Sequence, residues 1–287
     1  MIYLLLSIIA STLIFVIFNL LGKFKINTLQ AIIINYFAAF TTGILSSNET
    51  FVAKEIIYKE WFLGAVFLGF LFISIFNVMA LTAQRNGLSV ASVASKMSVV
   101  IPIVFGLYVY NETSNFQKTT GIILALIAVY LTSVKARTGT IKIKNLWLPI
   151  LLFIGSGVID TTIKYLENSY VSSDGIPLFS ATIFAIAGII GVLILTVKAI
   201  QGKFKFDSRS IFGGLILGVV NYYSIYLILK ALDYKGIESS TIFTVNNVAI
   251  VMLSTLVGLL FFKEKLSLKN WVGILVAILS ILLVTLA

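Results

Sequence analysis

Cysteine and histidine are both absent from the 287-residue chain, and charged residues make up only 11% of it. Without cysteine there is no disulfide and no thiolate chemistry. Without histidine there is no imidazole metal ligand and no side chain whose ordinary titration falls near neutral pH. Proline occurs three times, so few helices are interrupted from within. Soluble domains carry about a quarter of their residues as charges, and a chain this poor in charge lacks the residues to cover a water-facing surface.

What the chain has instead is apolar sequence from end to end: 59% of residues are hydrophobic and mean hydropathy is +1.07. Runs of about 20 apolar residues, the length that crosses a bilayer, follow one another with short polar punctuation. The expected spans are 2–22, 29–46, 61–83, 88–110, 117–134, 146–166, 177–199, 210–232, 238–262 and 268–286. Lys23-Phe24-Lys25, Gln84-Arg85-Asn86-Gly87, Tyr234-Lys235-Gly236 and Lys263-Glu264-Lys265 read as turns between them, which makes consecutive spans antiparallel neighbours. Segments 47–60 and 167–176 read as longer surface loops. The first span has no basic segment before it and is longer than the apolar core of a signal peptide, so it reads as a retained helix.

The net charge of +10 could point to nucleic acid. Most of the basic residues, however, sit in short loops between apolar spans, where they set membrane topology, so no nucleic-acid partner is expected. With the amino terminus outside, fourteen Lys and Arg fall in cytoplasmic loops (23–25, 85, 135–144, 198–209 and 263–269) and six on the other side, at Lys54, Lys59, Lys118, Lys164, Lys230 and Lys235. Loop charge therefore places both termini outside.

Glycine spacing reveals an internal repeat. Gly106-x5-Glu112-x8-Gly121 recurs as Gly258-x5-Glu264-x8-Gly273, 152 residues later. Gly64-x4-Gly69 recurs as Gly213-x4-Gly218, and Gly87 matches Gly236 at an offset of 149. Asn19-x3-Lys23 similarly matches Asp160-x3-Lys164. The halves are 1–138 and 139–287, each with five spans. An odd number turns the second half over, so the repeats are inverted, an arrangement suited to alternating access.

With these features the chain resembles the drug/metabolite transporter superfamily, specifically its EamA-like ten-span members. The resemblance covers essentially the whole chain and rests on the 5+5 arrangement, the Gly-x5-Glu-x8-Gly signature and Pro102 in the fourth span. It implies an all-α integral membrane fold, with ten transmembrane helices as two inverted five-helix repeats around a central cavity. It also implies secondary transport of a small metabolite, and location in a bacterial cytoplasmic membrane. Members usually keep their termini in the cytoplasm, opposite to the loop-charge reading. The ninth span departs from the fourth, with Ser254 where Pro102 would map.

Ionisable and amide side chains inside spans are the candidate site residues. Lys96, in Ser95-Lys96-Met97-Ser98, lies well past the start of the fourth span. A cation at that depth costs roughly 3 kcal/mol or more unless it faces a cavity or a partner. Pro102 lacks the N–H that would reach the Ser98 carbonyl, which is expected to leave a free acceptor near the cation. Lys96 reads as a site for an anionic group, or else as one end of a permanent pair with Asp160 or a carbonyl. Asn246 and Asn247 read as cavity amides or as interhelical links. Asn77, Asn221, Tyr222 and Tyr226 complete the candidate substrate set. Asp160, with Lys164 one turn on, reads either as a proton-coupling carboxylate or as a static i,i+4 pair. Asn19, Asn35 and Tyr36 read as structural. Glu112 and Glu264 read as capping groups or partners of nearby lysines, and the repeat glycines as points of close helix approach.

The reading that results is a carrier for a small polar or zwitterionic, amino-acid-like solute, with no cofactor, no metal, the lipid bilayer as its surroundings, and a monomer or homodimer left open. It is not read as an enzyme. The alternative is a membrane enzyme or flippase acting on a lipid-linked substrate. No Gly-x4-Gly-Lys-Ser/Thr loop is present to bind a nucleotide.

Overall fold

The computed structural model describes residues 2–45, 53–109, 116–133, 146–171, 175–232 and 239–285. They form helices α1 (Ile2–Lys23), α2 (Thr28–Leu45), α3 (Ala53–Ile56), α4 (Phe62–Asn86), α5 (Leu88–Met97), α6 (Val100–Val109), α7 (Phe116–Ser133), α8 (Trp147–Tyr170), α9 (Ile176–Ile200), α10 (Arg209–Leu232), α11 (Ser239–Phe261) and α12 (Leu268–Thr285). No strand occurs among the described residues. Seven helices, counting α5 and α6 together, are long and apolar enough to cross a membrane. The chain is an all-helical integral membrane protein.

The residues divide into two compact units, each drawn from both halves of the sequence. One comprises Met1–Leu20, Val78–Val158 and Tyr223–Ala287, the other Leu21–Asn77 and Ile159–Tyr222. Lipid tails are as apolar as the side chains, so helices in a membrane associate through close packing and buried polar contacts. Both units are built that way.

In the first unit α7 packs along α12, and α5 along α11. Ala125, Ala128 and Ala277 are buried in a core with Val93, Met97, Val251 and Ile281. These small residues bring the backbones together. Gln117 Nε2 donates to the Leu283 carbonyl (3.3 Å), the Ser280 hydroxyl to the Gly121 carbonyl (2.7 Å), and Asn270 Nδ2 to the carbonyls of Leu131 (3.2 Å) and Thr132 (2.9 Å). Residue numbers rise on one helix as they fall on the other, so α7 and α12 are antiparallel.

In the second unit α2 packs along α9. Gly188 faces the Phe37 ring and Gly191 faces Ile33, which is again an antiparallel order. The repeat glycines of this unit do make close approaches, as expected. Gly64 sits on Leu166, Gly69 on Ile186 and Gly213 on Leu21, and Gly218 lies against the backbone of Asn35.

Among the described residues the expected spans fall on helix, with three corrections. The fourth is two helices, interrupted at Ser98 and Val99. The expected turn Gln84-Arg85-Asn86-Gly87 contracts to Gly87 alone, because α4 continues to Asn86. Its last turn is held on α1, where Asn19 Nδ2 donates to the Ala83 carbonyl (3.0 Å) and Gln84 Nε2 to the Phe18 carbonyl (2.9 Å). The expected loop 167–176 begins late, since α8 continues to Tyr170. Leu166 is buried against Gly64 and Tyr165 stacks edge-on with Tyr170 (6.1 Å between centroids), which carries packing past the end of the apolar run. Glu112 and Gly236 lie outside the described residues.

Candidate functional site

Pro102 cannot donate to the Ser98 carbonyl, and the chain absorbs the missing donor by tightening. The Ile101 N–H reaches Ser98 O at 2.9 Å, an i to i−3 bond. This corrects the expectation of a free acceptor. The Ser98 side chain is fully buried and its hydroxyl donates to the Ser95 carbonyl at 2.6 Å. What Pro102 contributes is the break itself, between α5 and α6.

Lys96 lies half-buried just before that break. Its register is set by Ser92, one turn earlier on the same face, whose hydroxyl accepts from the Ser254 hydroxyl at 2.6 Å. On α11, Asn247 lies seven residues before Ser254 and so on the same face. Two turns back along α11 is about 10 Å, which sets Asn247 level with the break. Lys96 and Asn247 therefore lie on the two sides of one seam, about one turn apart along it.

The adjacent amides have separate tasks. Asn246 accepts at its Oδ1 from the Ser7 hydroxyl (3.4 Å), and that hydroxyl also lies 3.2 Å from the Ser224 carbonyl. This ties α1, α10 and α11 together. Asn247 is 9% exposed and has no hydrogen-bond partner among the described residues. Buried amides are rarely left unmatched, and of this pair Asn247 is the one whose amide is uncommitted among the described residues. Ser7 and Ser92 were not singled out from sequence, because serine is too common in apolar helices for either to stand out.

The start of α5 is fastened from a distance. After α11 the chain turns back, with the Glu264 N–H on the Gly258 carbonyl (3.0 Å). Its carboxylate takes the N–H of Leu88 and the hydroxyl (2.8 Å) and N–H (3.5 Å) of Ser89. Gly87 and Gly258 leave room for it, since a Cβ on Gly87 would lie 2.7 Å from Oε1 and one on Gly258 2.6 Å from Oε2. The Gly-x5-Glu spacing thus builds a cap for another helix, 176 residues away in sequence. The capping reading holds. Pairing with Lys263 or Lys265 is not what holds this carboxylate, and Gly258 makes way for a side chain instead of a helix.

Burial pushes the Glu264 carboxyl above its ordinary value, and the bonds from Leu88 and Ser89 partly offset this. The folded protein then holds this proton more tightly than the unfolded chain. The sign of the linkage follows: stability rises as pH falls through the raised value, and is lost as pH climbs above it. Glu264→Gln is expected to remove that slope from the pH dependence of the unfolding temperature. An unchanged slope would assign it to another group.

The remaining candidates are placed as follows. Tyr226 is exposed on α10, edge-on to Tyr223 (6.2 Å), with Lys230 Nζ 5.8 Å from its ring centre. In the second unit Asn77 Nδ2 bonds its own helix at the Ile73 carbonyl (2.7 Å). Tyr222 packs on Gly43, and Asn221 is buried one turn from Gly218, on the side of α10 that meets Asn35. Asn35 and Tyr36 are fully buried. The Asn35 amide oxygen and the Tyr36 hydroxyl have no partner among the described residues, although Phe76 (5.6 Å) and Phe184 (6.2 Å) hold the Tyr36 ring. Both were read from sequence as structural; Asn35 lies where α2 meets α10, and Tyr36 where α2 meets α4 and α9. Asp160 and Lys164 are both exposed along α8.

No family model matches the chain. It is 28% identical over 284 residues, 96% of this chain and 94% of the other, to an uncharacterized protein of Haemophilus influenzae (strain ATCC 51907 / DSM 11121 / KW20 / Rd). Among solved structures that share its fold is a crystal structure with a TM-score of 0.55 at 12% identity, over 98% of this chain and 97% of that one.

Proposed function

We propose that this protein is a ten-span secondary transporter of the EamA-like drug/metabolite type, carrying a small polar or zwitterionic metabolite by alternating access across a bacterial cytoplasmic membrane. The observation that carries the reading is the pairing of like with like. The second, fourth and fifth spans of one half pack on the second, fourth and fifth of the other, as α2 with α9, α5 with α11 and α7 with α12. All three pairs run antiparallel, as inverted repeats require. At the repeat offset of 152, Leu131 corresponds to Leu283 and Gln117 to the residue before Asn270. Gln117 on Leu283 and Asn270 on Leu131 are then one crossing made twice. Three shorter apolar helices (Thr119–Thr132, Val245–Phe261 and Leu268–Leu283) supply the spans beyond seven.

In this reading Lys96 takes an anionic group of the solute and Asn247 a neighbouring polar one, at the break between α5 and α6. Reconstituted protein tests it. Saturable uptake accelerated by solute on the far side is expected. Conductance far above carrier turnover would make it a channel, and turnover of a lipid-linked compound would make it an enzyme or flippase. Asp160 is the proposed proton-coupling group. Asp160→Asn is therefore expected to retain exchange but no longer concentrate solute under a proton gradient; accumulation by that variant would remove Asp160 from the coupling.

A further inference from the structure

In the second unit two connections lie side by side, the α1–α2 turn and the α9–α10 loop, and each carries alternating lysine and phenylalanine. Lys23-Phe24-Lys25 meets Lys203-Phe204-Lys205-Phe206. All seven side chains are exposed, Phe24 at 58% and Phe206 at 65%. With Lys198 they bring five lysines together. The one acid in these two segments, Asp207, is spent on Arg209 at 2.9 Å, and that partner holds its carboxyl below the usual range.

The two connections are clamped from beneath. Gln30 Nε2 donates to the Lys205 carbonyl (2.7 Å) and its Oε1 accepts from the Asp207 N–H (3.0 Å). Asp207 Oδ2 accepts from the Asn27 N–H (3.1 Å), and Arg209 reaches the carbonyls of Phe24 (3.3 Å) and Lys25 (3.4 Å). The lysines therefore stand on a fixed base.

A second observation is independent of this one. Helices α1 and α9 end in the same reversal, in which a left-handed residue turns the chain and backbone N–H groups fold back on the last carbonyls. At the end of α9 that residue is Gly202 (φ 67°), the low-cost choice. At the end of α1 it is Lys25 (φ 54°). A side chain in that conformation is disfavoured, so a cation is held here at the expense of backbone stability.

We infer that this clamped surface is a binding site for the phosphate headgroups of anionic phospholipid. Lysines at helix ends lie at headgroup depth, where each contributes to attraction for anionic lipid, and phenylalanines between them enter the acyl boundary. An aqueous anion would meet the lysines equally well, but it would leave the exposed rings in water.

The test uses purified full-length protein, stripped of lipid and titrated with phosphatidylglycerol or phosphatidylcholine, with bound lipid read by native mass spectrometry. Phosphatidylglycerol should be retained over phosphatidylcholine, and Lys23→Gln/Lys25→Gln/Lys203→Gln/Lys205→Gln should reduce that preference by roughly fivefold per lysine removed. Glycerol phosphate added in excess should not displace the lipid; displacement would overturn the lipid in favour of a soluble anion. Lys25→Gly keeps the test decisive if the quadruple variant fails to fold. It should unfold no earlier than the wild type while losing part of the preference. Equal retention of the two lipids by the wild type, or an unchanged preference in Lys25→Gly, overturns the proposal.

Discussion

Gly87→Ala is expected to destabilise the protein by about 2–5 kcal/mol, read as a fall in the unfolding temperature in detergent. Two costs combine. At φ 105° and ψ 165°, a region almost confined to glycine, an L side chain is disfavoured by at least roughly 1–2 kcal/mol. The new Cβ would also stand 2.7 Å from Glu264 Oε1, so the carboxylate must withdraw. Its departure leaves the donors of Leu88 and Ser89 unmatched at a part-buried site, at roughly 1–3 kcal/mol. Gly202→Ala separates the two contributions, because Gly202 also has positive φ (67°) but nothing within 4 Å of its added Cβ. That variant should bear only a left-handed backbone cost of about 1 kcal/mol. A loss for Gly87→Ala no larger than this would mean that the Glu264 cap contributes nothing to stability.

Lys96→Met is expected to lower apparent affinity for the solute by roughly tenfold to a hundredfold, the range for losing a hydrogen bond to a charged group. Methionine keeps most of the side-chain volume, so packing at the break is preserved. Lys96 also interacts within the fold, so a fall in unfolding temperature is compatible with a binding role and affinity is the deciding measurement. Lost stability with transport intact would make the residue purely structural.

Both results depend on a register that the sequence does not display. Lys96, Pro102 and the two amides stood out from their surroundings, because charge and amides are rare in apolar helices. Yet nothing local distinguishes Asn246 from Asn247, which differ only in what faces them: Ser7 meets the first, and the seam shared with Lys96 meets the second. Likewise Pro102 announced a lost hydrogen bond, but a neighbouring N–H filled the vacancy, and that adjustment depends on how far the backbone can tighten. Asn35 and Tyr36 looked like ordinary links between helices until their oxygens proved unmatched.

Composition and periodicity by themselves determined the all-helical membrane character and nearly the bounds of the apolar helices, since bilayer thickness and backbone hydrogen bonding leave few alternatives. Tertiary structure alone decided where α4 and α8 stop, which helix Glu264 caps, and which amide is left open. It also decided that two Lys-Phe segments far apart in sequence share one clamped surface. Those outcomes arise chiefly from contacts between residues more than sixty positions apart, and such contacts form only when close packing has set the register of whole helices. Local sequence carries no record of them.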